Sequence, residues 1–347
     1  MENKLQDELL FSDICQIIDS ARSQVAIKAN AELTLMYWHI GYRINTGVLG
    51  NQRAEYGKQI VATLARQLQE KYGVKGFDEK SIRRMMQFAE IFPDIQIVAP
   101  LARQLSWSHF LMVMPLKEEL QREFYLTMAA NSHWSKRELG RQIEGMLFER
   151  MAIAGREKEQ VKKELASLRS NDVLSPDLVF KNPYFLDFTG LKGYYSERDL
   201  EDMLLTGLQQ FIMELGNGFT FVERQKRMII DGEDFYLDLL FFHRKLHRLV
   251  AIELKKGKFK AAYKGQMELY LRWLDRYERQ PSEEAPLGLL LCSEGSEEQI
   301  ELLQLDKFGI QVAQYYTELP PKHLLIEQLQ KQISLAKQRI KNKMEED

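Results

Sequence analysis

Two acids interrupt segments that are otherwise apolar: Asp238 in FYLDLLFF at 235–242, and Glu253 in LVAIELK at 249–255. Charged side chains are seldom buried without a partner or a metal, so both positions demand a chemical reason. If 248–256 is a strand, Ala251, Glu253 and Lys255 share one face while Val250, Ile252 and Leu254 share the other. An acid and a lysine then project together. The polar HRKLHR at 243–248 reads as a short hairpin connection, which makes the two strands antiparallel neighbours and brings Asp238 beside Glu253. Two adjacent carboxylates repel unless a divalent cation neutralises them, and hard oxygen donors of this kind suit Mg²⁺ or Mn²⁺. The competing reading is structural: Asp238 and Glu253 could pair with Lys255 or Arg248 as buried ion pairs. Zinc at His243 and His247 is disfavoured, because a four-residue spacing aligns two histidines on a helix and these lie across a turn.

Asp238 followed by Glu253-Leu254-Lys255 resembles the PD-(D/E)xK phosphodiesterase motif of restriction-type nucleases, with Leu237 where the motif's leading proline would stand. With Gly265-Gln266-Met267 and Tyr270-Leu271, the stretch is similar to the C-terminal domain of the YhcG-type nucleases, in which a helical domain comes first. The resemblance implies hydrolysis of nucleic-acid phosphodiesters, in DNA, in a setting such as repair, recombination or foreign-DNA processing. It implies that Asp238, Glu253, the Leu254 carbonyl and an acid from an upstream helix hold Mg²⁺ or Mn²⁺, and that Lys255 orients the attacking water. The rival from another class is a nucleic-acid-binding or scaffold protein that carries a silent nuclease fold.

These strands need elements to position them. Ser196, with Asp199 three residues on, marks a helix start, and the stripe Leu200, Leu204, Leu208, Phe211, Leu215 predicts one continuous helix. At 100° per residue Glu201 falls on the inward face, and by resemblance it is the helix acid of the metal site. Glu197, one turn earlier, is the fallback, although an acid in a first turn also simply complements the helix dipole. Gly216-Asn217-Gly218 ends the helix, and FTFVERQKRMII forms a strand in which alternation places Glu223 and Gln225 opposite Arg224. Gln225 either positions substrate or occupies a sheet rim. Asp231-Gly232 turns the chain into the strand of Asp238. After Lys255 come Lys256, Lys258, Lys260 and Lys264, suited to phosphate contacts, and Gln266 at the edge of the next helix's core stripe faces the cleft by resemblance. LGLLLCS reads as a strand, EEQIELLQLDKF as a helix and GIQVAQYY as a last strand. Helix, three-strand meander, helix, strand, helix, strand is the element order of an α/β restriction endonuclease-like domain.

The upstream half is mainly α-helical. Residues 5–45 and 57–72 carry helical periodicity, and Asp78 caps a helix EKSIRRMMQFAEIF after the turn GVKGF. The pair has helix-turn-helix spacing; Lys80, Arg83 and Arg84 would then reach DNA, or they are the solvated face of a plain helical hairpin. Tyr37, Trp38 and Tyr42 fall within an apolar run and read as core. Pro93 and Pro100 bracket a break, and Ser135 caps a helix KRELGRQIEGMLFERM. The expected organisation is a helical domain at 1–154, a charged linker helix at 155–172, the nuclease-like domain at 173–320 and a helical tail at 321–347 that packs or oligomerises the chain.

Composition fits two globular domains: 347 residues, 45% apolar and 28% charged, with a net charge of −2. Such a charge excludes indiscriminate coating of nucleic acid and leaves local basic patches. Cys15 and Cys292 form no zinc or disulfide pattern and read as thiols in a reducing compartment. No apolar run approaches the roughly 18 residues of a membrane span, and MENKLQDELL is no signal peptide, so the expected location is the cytoplasm.

Overall fold

The computed structural model describes residues 2–48, 54–73, 76–153, 158–294, 300, 302–303, 305–319, 321, 323–327 and 329. It divides into two compact units, residues 1–145 and 146–347. Most of the C-terminal tail, part of the GVKGF turn and residues 155–157 of the charged helix lie outside the described residues.

The first unit is helical: α1 (Glu2–Val48), α2 (Ala54–Tyr72), α3 (Glu79–Ile91), α4 (Ile95–Ala102), α5 (Trp107–Val113), α6 (Glu119–Asn131) and α7 (Lys136–Glu144). The Asp78 side chain accepts the Ser81 N–H at 2.9 Å and caps α3, whose Ile82 and Phe88 are fully buried. A Cβ at Gly41 would stand 1.8 Å from the Met85 carbonyl oxygen, so only glycine lets α1 approach α3 this closely. Trp38 is core, its indole N–H donating to the Phe92 carbonyl at 2.7 Å, while Tyr42 stacks on it and stays exposed. Tyr42 is therefore not the core residue expected, and two further expectations are corrected here. Pro100 does not mark a break: it lies inside α4, a helix started by the Asp94 side chain on the Gln96 N–H. The helix from Ser135 does not run on through 151, because Met146 sits in the left-handed region at φ 52 and stops α7.

The second unit comprises α8 (Leu147–Ile153), α9 (Lys158–Asn171), β1 (Tyr184–Phe185), α10 (Glu197–Thr206), α11 (Leu208–Leu215), β2 (Phe219–Ile230), β3 (Glu233–His243), β4 (Arg248–Lys258), α12 (Ala261–Tyr277), β5 (Leu287–Glu294) and β6 (Ile310–Tyr316). One mixed sheet runs in the order β1-β6-β5-β4-β3-β2. β2, β3 and β4 form the antiparallel meander, while β5 pairs in parallel with β4, β6 with β5, and β1 with β6. Asp231 and Gly232 turn with φ 52 and 84, the left-handed pair that a tight hairpin requires. The charged segment is helical as its pattern suggests, and its Val161, Leu165 and Leu168 are buried.

Cores lie on both faces of the sheet. One gathers Leu200, Leu204, Phe211, Leu239, Phe241, Ile252, Leu254 and Leu289. The other joins Ala251, Leu290 and Cys292 to Met267, Tyr270 and Leu274 of α12. A fully buried leucine contributes roughly 1.5–3 kcal/mol, so these clusters clamp β4 from both faces. The expected single helix over 196–215 is interrupted at Gly207 (φ −99, ψ 32), which splits it into α10 and α11. A Cβ at Gly207 would press on the Phe188 ring at 2.9 Å. β1 was invisible to pattern: a two-residue strand beside Pro183 carries no periodicity, yet Phe180, Tyr184 and Leu186 are core. Leu325 and Leu329, at the start of the tail, are buried with Met146 and Phe185.

A second buried charge cluster lies in this unit. Arg150 donates to Glu214 Oε1 at 2.5 Å, Lys181 Nζ lies 3.4 Å from the same oxygen, and the Phe185 N–H donates to it at 2.8 Å. The Arg150 guanidinium also stands 4.1 Å over the Phe185 ring and donates to the Pro183 carbonyl. Among the described residues no helix is long and apolar enough to cross a membrane. Cys15 and Cys292 are free thiols, and burial pushes Cys292 up to about 12.

Candidate active site

The meander places the acids. β3 and β4 pair through Leu239↔Ile252, which sets Asp238 and Glu253 opposite one another just where the paired stretch stops. Side chains take over from the backbone there. The Asp238 N–H donates to Glu253 Oε1 at 3.2 Å, and the Leu254 N–H donates to Asp238 Oδ2 at 2.8 Å. Lys255 and Glu253 share a face as alternation requires, with Lys255 Nζ 2.7 Å from Glu253 Oε2 and both side chains largely buried. Lys255 also lies 5.4 Å from the Tyr263 ring centroid of α12.

Electrostatics set this cluster apart. Burial, then the neighbouring Asp238, lifts Glu253 to about 7, against the pull of Lys255. Asp238 is raised as well, by burial first and with a contribution from Glu201, although the Leu254 N–H and Lys255 oppose the rise. Lys255 stays firmly protonated: burial works against its charge, and Glu253 and then Asp238 outweigh burial. Two acids that repel and one lysine that cannot satisfy both constitute a site with surplus negative charge.

Glu201 is buried and faces the pair, as the helical plot predicts. Gln225 links them, its Nε2 donating to Glu201 Oε2 at 2.8 Å and to Asp238 Oδ1 at 3.2 Å. The other Glu201 oxygen accepts from Arg224 Nε at 2.6 Å, and Arg224 also donates to Asp202 at 2.5 Å. Simple alternation had set Arg224 opposite Gln225; that is corrected. The register between β2 and β3 shifts between Phe221 and Glu223, and Gln225 adopts φ 48, so both side chains reach Glu201. Arg224 is the residue that sequence reasoning missed, since a bulge has no reliable signal in this strand.

Glu197 is placed differently: its Oε1 accepts the Lys256 N–H at 2.7 Å, tying α10 to the end of β4. Lys258 and Lys260 are exposed, and Gln266 is half-buried and donates to the Tyr270 hydroxyl at 2.7 Å. Lys264 is turned to other partners, 3.8 Å over the Phe308 ring and 3.6 Å from Glu268. His243 is no zinc ligand: it accepts the Leu246 N–H at Nδ1 and meets the Asn217 carbonyl at Nε2, and burial lowers it to about 4.

Among the described residues no three His, Cys, Asp or Glu side chains converge as a ready coordination shell. Glu201 reaches the pair only through Gln225. Even so, the donor set fits a hard divalent cation, because buried Glu253 and half-buried Asp238 face each other with more negative charge than Lys255 balances.

Residues 177–334 match the model of the YhcG PDDEXK nuclease domain. The class is therefore an α/β PDDEXK nuclease-type domain behind a helical region, and residues 13–150 match the DUF1016 N-terminal domain. The chain belongs to the YhcG family: it is 31% identical to the "Putative nuclease YhcG" of Escherichia coli (strain K12), over 91% of this chain and 92% of that protein. Among solved structures, a repair endonuclease from Pyrococcus abyssi aligns at 21% identity and TM-score 0.26, covering 38% of this chain and 50% of its own. An EndoMS–dsDNA complex aligns at 19% and TM-score 0.26, covering 38% and 48%. The chain spans about half the length of each.

Proposed function

We propose that this chain is an endonuclease that hydrolyses phosphodiester bonds in DNA with Mg²⁺ or Mn²⁺. The observation that carries the reading is the mutually repelling pair of half-buried Asp238 and buried Glu253 with the Lys255 ammonium against it. Asp238, Glu253 and the Leu254 carbonyl would hold the cation, with Glu201 directly or through water; when bound, it supplies Lewis acidity and offsets phosphate charge. Lys255 orients the attacking water and stabilises the charge that develops on the phosphate. Gln225 fixes the Asp238 carboxylate, as an outer partner does for a ligating acid. The exposed Lys258 and Lys260 neutralise flanking phosphates, with Lys256, Lys264 and Gln266 in supporting contacts. We also assign strand contacts to Lys80, Arg83 and Arg84, which line a shallow cavity of about 440 Å³ on α3. The reading places the protein in the cytoplasm.

The test is cleavage of linear, nicked, branched and single-stranded substrates with Mg²⁺ or Mn²⁺. Asp238→Ala, Glu253→Gln and Lys255→Ala should each lower the rate by roughly a thousandfold or more while the protein stays folded, since each removes a group acting on the reacting phosphate. Cleavage at the unaltered rate by either acid variant would overturn the assignment. A silent-fold binding protein would instead bind DNA and cut none of the panel.

A further inference from the structure

The loop before α10 carries two adjacent tyrosines that behave in opposite ways. Tyr195 is half-buried and packs against the core beneath the sheet. Tyr194 is 95% exposed, an extreme value for an aromatic side chain. The loop is not loose at this point. Gly190 and Gly193 turn it with φ 67 and 63, Ser196 caps α10, and the Lys256 ammonium donates to the Tyr195 carbonyl. The same ammonium stands 3.7 Å from the centre of the Tyr194 ring. Lys256 is brought there by a register shift between Lys255 and Lys258 on β4, which turns its N–H to Glu197 while Gly257 bonds the Ser293 hydroxyl. The exposed Tyr194 ring thus carries on one face the ammonium of Lys256, the residue next to Lys255 in the chain.

We infer that Tyr194 and Lys256 form a nucleotide-gripping element at the mouth of the candidate site: a base unstacked from its neighbours lies on the open face of Tyr194, and Lys256 meets the adjoining phosphate. The occupant follows from the chemistry on the page. A flat, solvent-facing ring offers a stacking surface that every base can use, and Lys256, Lys258 and Lys260, with Lys192 in the loop itself, match a polyanionic strand. An apolar protein partner would find a single ring among lysines. The inference rests on the nucleic-acid reading above and names one contact through which that reading operates.

The experiment measures binding of fluorescein-labelled single strands to the full chain by anisotropy in EDTA, so that no strand is cut. One strand carries all its bases and the other a run of abasic sites. Tyr194→Ala should weaken binding of the base-bearing strand by roughly tenfold, the scale of one lost stacking contact. It should leave the abasic strand unchanged. Tyr194→Phe keeps the ring and should bind as the unaltered protein does. Because Tyr194 is solvent-exposed, the alanine variant keeps its fold, which an unchanged melting temperature verifies. Equal binding of both strands by the unaltered protein and Tyr194→Ala overturns the stacking role and leaves the nuclease reading standing. Failure of the unaltered protein to bind either strand overturns the gripping element, while the nuclease reading is decided separately by the cleavage panel with Mg²⁺ or Mn²⁺.

Discussion

The second unit buries two charge clusters, and they are built with opposite surpluses. Around Glu214, one carboxylate oxygen receives Arg150, Lys181 and the Phe185 N–H. Burial pushes Glu214 up, but Arg150 and then Lys181 outweigh it, and the carboxyl ends below the ordinary range. Around Glu253 the balance reverses: burial and the neighbouring Asp238 carry the carboxyl up to about 7 in spite of Lys255. Burial alone therefore does not distinguish the clusters; the sign of the excess charge does. Excess cations lock an acid into its charged form and tie α8, α11 and β1 together. Excess acids leave charge that only something from outside, a cation or a proton, can balance.

The largest test of this contrast is Glu214→Gln. It removes the carboxylate that two buried cations share, and should destabilise the protein by about 3–5 kcal/mol, read as a lower urea midpoint. Glu253→Gln should leave that midpoint unchanged or raise it, since it removes one of two repelling acids. A larger stability loss in Glu253→Gln than in Glu214→Gln would break the comparison.

The next is pH dependence of stability in metal-free protein, where the signs differ. Glu253 has a raised folded value, so below its ordinary 4.5 it is protonated in both states and costs nothing. Between 4.5 and about 7 the unfolded chain gives up its proton first, so stability falls as pH rises, by on the order of a few kcal/mol. Glu214 has a lowered folded value; its contribution is complete above the ordinary 4.5 and is lost as pH falls below that. Urea unfolding across this range should show Glu253→Gln abolishing the neutral-side decline and Glu214→Gln abolishing the acid-side loss. A single variant that removed both slopes would show the clusters to be coupled.

The smallest expected effect is at Gln225, which bonds Glu201 and Asp238. Gln225→Ala should reduce cleavage by roughly 10- to 100-fold, as loss of a partner that orients a metal ligand does. Metal titration should show the loss as weaker cation affinity. If the metal requirement is unchanged, Gln225 is a sheet-rim residue and nothing more.

Much of the site was legible because it is written in local chemistry. Asp238 and Glu253 stand out against apolar strands, period-two alternation joins Lys255 to Glu253, and period-3.6 turns Glu201 inward. Ser196 and Asp199 announce the start of α10, and Asp231-Gly232 announces the hairpin. The errors fell where a backbone irregularity outranked the pattern. Gly207 splits a stripe that looked continuous, Met146 ends α7, and the bulge in β2 brings Arg224 to an acid from which alternation had excluded it. β1 is too short to have a period at all.

What the sequence determined by itself was the fold class, the hairpin that sets Asp238 against Glu253, and the chemical type of the donors. Each depends on neighbours along the chain or on a turn of fixed length. Only the tertiary structure decided that Glu201 reaches Asp238 through Gln225, that Glu197 serves the β4 backbone instead, and that Glu214 is held by two cations from distant segments. Those outcomes depend on which side chain is nearest across 13 to 64 residues of chain, a distance fixed by packing and register and written in no local pattern.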